Sequence, residues 1–171
     1  MKRHLLMAML VALFAAPLAA YAADPERQAE VAKLGADVMP FSLAATTHIF
    51  TKTKDGGTQQ VVAKNADDAE QVRLVREHLR DLKTRLGQGD YSGPSHIHGD
   101  AMPGLAQLRA AKPGQVRVSY RELKHGAQLT YRTADPALVS ALHAWFDAQV
   151  SDHGADAMAG HEHHHADGAK P

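Results

Sequence analysis

The chain has 171 residues with 19 basic and 19 acidic side chains, no cysteine and 5% aromatics. The absence of cysteine excludes disulfides, thiolate nucleophiles, Cys-type zinc fingers, iron–sulfur clusters and covalent c-type haem. Balanced charge and scarce aromatics argue against nucleic-acid binding, which needs a basic excess and stacking rings. The unusual count is histidine, with 12 residues.

Residues 1–22 read as an export signal. Met1-Lys2-Arg3-His4 is a positive start, Leu5 to Ala20 is an apolar run broken by Pro17, and Ala20-Tyr21-Ala22 fits small-x-small cleavage. The run is short for a membrane span. The expected product is a periplasmic protein of one domain, with no stable membrane anchor after cleavage. Loss of Lys2 and Arg3 leaves 17 basic against 19 acidic residues.

In chain order, residues 24–40 suit one short helix ended by Pro40. Thr46 to Thr51 and Thr58 to Val62 are β-rich, and Lys54-Asp55-Gly56-Gly57 between them is a hairpin turn pattern. Asn65 to Leu86 is the clearest helix, with Asn65 or Asp67 as cap and Val72, Val75, Leu79, Leu82 and Leu86 at helical spacing. Residues 87–114 hold six glycines and three prolines. They read as a long irregular connection, helical only at Leu105 to Ala111, of a length that usually carries function. Val116 to Tyr120 and Gln128 to Arg132 alternate like a second hairpin around His125-Gly126. Asp135-Pro136 opens a last helix that runs to about Val150.

The expected domain, 23–154, is α+β: a four-stranded, mainly antiparallel sheet of two hairpins, with two long helices on one face. Residues 155–171 read as a disordered His-rich tail.

Histidine carries the candidate chemistry. In an extended segment, His96 and His98 point the same way and chelate one ion. Asp100 stands ready as ligand or orienting carboxylate, and the Met102 thioether suits Cu(I). His48 on the first strand or His143 on the last helix would complete this site. Asp147, four residues after His143, is placed to orient its ring. His78 reads as a partly buried structural residue, and His153 as a cation favoured at a helix C-terminus or as a ligand. His161, His163, His164 and His165 form a dense imidazole cluster around Glu162 that favours Cu(II), Ni(II) or Zn(II).

The chain lacks G-x-S-x-G, Walker A and G-x-G-x-x-G patterns, and no H-E-x-x-H helix is expected, since His161 to His165 fall in the tail. The leading expectation is a periplasmic metal-binding protein that captures or buffers copper, with zinc next, and is more binder than enzyme. The alternatives are a metal-dependent hydrolase or oxidoreductase, and a metal-independent module whose 87–114 loop contacts an unknown partner.

Ala45-Thr46-Thr47-His48-Ile49-Phe50-Thr51-Lys52-Thr53, Ser95-His96-Ile97-His98-Gly99 with Met102-Pro103-Gly104-Leu105, and Leu142 to Gln149 with Asp152-His153-Gly154 together resemble a family of small exported proteobacterial proteins without an established function. The resemblance spans roughly residues 40–160 and includes His48, His96, His98, His143 and His153. Some members carry the label aspartate carbamoyltransferase. That enzyme's Ser-Thr-Arg-Thr-Arg phosphate loop is missing from this chain, so no catalytic role is carried over.

Overall fold

The computed structural model describes residues 23–161. Residues 1–22, read from the sequence as an export signal, and His163, His164 and His165 lie outside the described residues. In chain order the elements are α1 (Pro25–Val38), β1 (Thr46–Thr53), β2 (Gly56–Ala63), α2 (Ala69–Gly87), α3 (Ser92–His98), α4 (Leu105–Ala110), β3 (Arg117–Leu123), β4 (Gly126–Arg132), α5 (Pro136–His153) and β5 (Ala157–Ala159).

Both hairpins form as antiparallel pairs, and β2 also pairs with β4. The sheet has a fifth strand, however, in the order β3-β4-β2-β1-β5, and β5 runs parallel to β1. The four-stranded expectation is corrected in this respect. Residues 155–159, read from the sequence as the start of the tail, fall in a 3-10 turn that begins at Gly154 and in this edge strand. Three residues, Ala-Met-Ala, carry no strand pattern; main-chain pairing to His48, Ile49 and Phe50 holds them in the sheet.

Helix ends follow local chemistry. The Asp24 side chain accepts from the Arg27 amide and Pro25 opens α1. Asp68, rather than Asn65 or Asp67, caps α2 through the Gln71 amide. Asp135 caps α5 and Pro136 sits in its first turn. The segment 87–114 is less irregular than its composition suggests. It contains α3, whose Gly93 and Pro94 fall in the first turn, where a missing N–H costs nothing.

The helices pack on one face of the sheet. Inward residues of the strands meet α5: Phe50 lies against Phe146, and Tyr131 against both Trp145 and Phe146. On α2, the Arg80 guanidinium covers Tyr120 of β3. Helix α4 can approach α5 closely because Gly104 adopts φ 78° beside the Ala141 carbonyl, where any Cβ would collide with backbone. Among the described residues no helix is long and apolar enough to cross a membrane.

Candidate functional site

Where the C-terminal half of α5, the start of β1, α2 and α3 meet, a cavity of about 40 Å³ opens between helices and sheet. Four imidazoles line it, one from each element: His48 of β1, His78 of α2, His98 of α3 and His153 of α5. Met39, Gln59, Gln149 and Trp145 complete the wall, with Val38, Leu79, Leu82 and Ile97 supplying apolar surface.

His48 points inward with Thr46 and Phe50, as strand alternation requires, and is 3% exposed. Its ring stacks on that of His153 with centroids 5.0 Å apart and planes 3° from parallel. His98 stands edge-on to His153 at 5.1 Å. His153 meets the Gln149 amide oxygen through Nε2, at 3.2 Å. Phe41 packs edge-on against His78 and tilted against His48, so it closes one side.

The electrostatics favour uncharged rings. Burial, and then the neighbouring His78, pull His48 down to about 4. Burial does the same to His78, to about 4, with Asp81 opposing. His153 falls well below the ordinary imidazole range, first through burial and then through His48 and His98. The cationic reading of His153 at a helix terminus therefore gives way to a neutral buried ring; desolvation outweighs a dipole effect of about 1 kcal/mol.

His98 is held differently. Its Nδ1 lies 2.7 Å from Asp152 Oδ2, and Asp152 is fully buried. Arg27 of α1 donates to the same carboxylate at 3.3 Å and to the His98 carbonyl at 2.6 Å. With Nδ1–H donated to a carboxylate, the ring is fixed in orientation and Nε2 carries the lone pair, the arrangement that metal-binding histidines favour.

Among the described residues, two polar atoms of this cavity are buried without a hydrogen-bond partner, His48 Nδ1 and Trp145 Nε1, although the Asp156 main chain approaches the His48 ring. A buried orphan of this kind costs about 1–3 kcal/mol. The indole is a donor only, whereas the unprotonated nitrogen of a neutral imidazole is a ligand or an acceptor.

The structure separates several residues that the sequence reading grouped. His96 and His98 lie on a helix, so two residues turn the ring about 200° rather than 0°. His98 enters the cavity, while His96 stays half-exposed and meets Asp37 of α1 at 3.2 Å. Met102 is buried in the general core and does not line the cavity; the thioether there is Met39. Asp100 pairs with Arg109 on the surface. His161 is exposed just beyond β5.

His143 is a clamp on the first hairpin. Its Nε2–H reaches the Thr53 carbonyl at 3.0 Å and the Gly56 carbonyl at 2.9 Å. Asp147, expected to orient it, pairs instead with Lys52 of β1 at 2.6 Å. Replacing His143 by alanine leaves both carbonyls without that donor. We expect a loss of roughly 1–3 kcal/mol in urea unfolding, with metal stoichiometry unchanged.

As the rings stand, the parallel planes of His48 and His153 keep their in-plane lone pairs from converging. Among the described residues, no group of three or more His, Asp or Glu is arranged to hold a metal ion. No family model matches the chain, and no curated protein or solved structure matches it.

Proposed function

We propose that the protein is a periplasmic metal-binding protein whose ordered site is the buried cavity formed by His48, His98 and His153, with copper preferred and zinc next. The observation that carries this reading is the unpartnered Nδ1 of His48, enclosed beside two more imidazoles, one of them oriented by a buried carboxylate. Neutral imidazoles are the ligand form, and burial favours that form at neutral pH. Met39 adds a soft donor to the wall, which favours Cu(I) over harder ions. Ligation requires His48 and His153 to turn about χ2, a broad torsion for imidazole. His78, nearer the surface on α2, guards the approach. The tail histidines 161 and 163–165 supply a looser second site for capture.

The test uses the full chain with His161, His163, His164 and His165 all replaced by alanine, prepared without a metal-affinity column. Thermal unfolding is followed against buffered Cu(I), Cu(II) and Zn(II). An ion at 100 times its dissociation constant stabilises the native state by about 2.7 kcal/mol if it binds only that state. We expect a saturating rise with one ion per chain, lost on His48→Ala or His98→Ala and kept on His96→Ala. A rise that survives both cavity substitutions, or no rise at all, refutes the cavity as the site.

A further inference from the structure

The second face of the sheet has a chemistry of its own. Register places partners on one side, so the outward positions form ranks across four strands. One rank is Thr51–Thr58–Thr130–Ser119, all hydroxyls. The next, toward the β1–β2 turn, brings Arg132 directly opposite Arg117. On the other side Gln60, Gln128 and Arg121 line up and bond: Gln60 donates to the Gln128 amide oxygen at 3.1 Å and Arg121 donates to it at 2.9 Å. Gln128 in turn donates to Thr130 at 3.0 Å.

The helices occupy the opposite face, so Arg117, Ser119, Arg121 and Arg132 meet solvent and Thr58, Gln60 and Thr130 are half-buried, while Thr51 and Gln128 are covered. None of the outward strand positions carries a carboxylate. Glu122, the acidic residue of β3, points inward to Arg76 and Arg80 of α2. Like charges facing each other across strands are destabilising. Arg132 is relieved by Asp55 of the turn at 2.8 Å, whereas Arg117 has no ion pair among the described residues. Beside them lies a hollow of about 750 Å³, lined by Arg117, Ser119, Thr130 and Arg132 and, past the edge strand, by Lys83 and Thr84 of α2.

We propose that this face binds an anionic polysaccharide. Arginines take carboxylate or sulfate groups through paired N–H donors. The accessible hydroxyls and amide of Ser119, Thr130, Thr58 and Gln60, on strands roughly 4.8 Å apart, match sugar hydroxyls along an extended chain. Single-stranded nucleic acid is a poorer fit, because the rings of Tyr120 and Tyr131 face the helices and leave no stacking platform. The site is separate from the histidine cavity and stands whether or not that cavity binds metal.

The full chain is assayed at pH 8 against labelled dextran sulfate, polygalacturonate, neutral dextran and a single-stranded oligonucleotide. We expect both acidic glycans to bind, more weakly as salt rises, and neutral dextran not to bind. Arg117→Glu with Arg121→Glu should weaken binding by about tenfold or more, since each reversal replaces a charge-assisted donor with repulsion. Arg117→Gln with Arg121→Gln, which keeps hydrogen-bonding capacity, should lie between, and Lys33→Glu on α1 should match the parent. Equal binding by the charge-reversed and parent proteins overturns the proposal. Oligonucleotide binding as tight as that of polygalacturonate overturns the glycan assignment.

Discussion

In the presence of a chelator, stability is expected to fall steeply between pH 6.5 and pH 4, and replacing the buried histidines is expected to flatten that fall. His48 and His78 are each held at about 4 in the folded protein, against about 6.5 in an unfolded chain. Between those values the unfolded chain binds protons that the native state refuses. Stability is therefore fully present above pH 6.5 and is lost as pH falls through the unfolded value toward 4. A shift of this size is worth roughly 3 kcal/mol per ring, and His153 adds to it in the same direction. The opposing groups are few: Asp156 beside His48 and Asp81 beside His78. The check is the urea midpoint of the parent and of His48→Leu at several pH values from 7.5 to 4. If the two curves keep the same slope with pH, His48 titrates near its ordinary value and the cavity is wetter than described.

That same cavity shows what a sequence conveys and what it withholds. The hairpins, α2 and α5 were legible because each rests on local information: alternation, helical spacing, Gly turns and Asp caps. α3 was hidden because Ser-Gly-Pro-Ser-His-Ile-His has neither helical periodicity nor good helix formers. One missed turn of helix changes which histidines face each other, and it separates His96 from His98. His48 and His98 line one cavity, but the ring beside them is His153, not His96 or His143. That choice depends on how α5 lies over β1, which no local pattern encodes. Asp152 carried a usable hint. An acidic residue next to a histidine at the end of an apolar helix, where carboxylates are disfavoured by the dipole, needs a partner of its own. Met39 gave no such hint, since a methionine after a short helix reads as core.

Asp152 is expected to be the most costly single side chain to remove. It is completely buried on α5, and it accepts from His98 of α3 and Arg27 of α1, so three helices meet at one carboxylate. Asp152→Ala leaves a buried imidazole and a guanidinium without this anion. Breaking a buried pair from one side typically costs about 3–5 kcal/mol, which should be read as a lower urea midpoint at pH 7.5. Asp152→Asn keeps the shape and still accepts through its amide oxygen, so a smaller loss, roughly 1–2 kcal/mol, is expected. The pair of variants separates two roles. If the carboxylate only ties helices together, Asp152→Asn binds copper or zinc as the parent does. If it also holds the His98 ring and raises its basicity, metal affinity falls about 10–100-fold in a protein that remains folded. An Asp152→Ala variant within 1 kcal/mol of the parent would contradict both roles, because losing this fully buried carboxylate takes an acceptor from both the His98 ring and the Arg27 guanidinium.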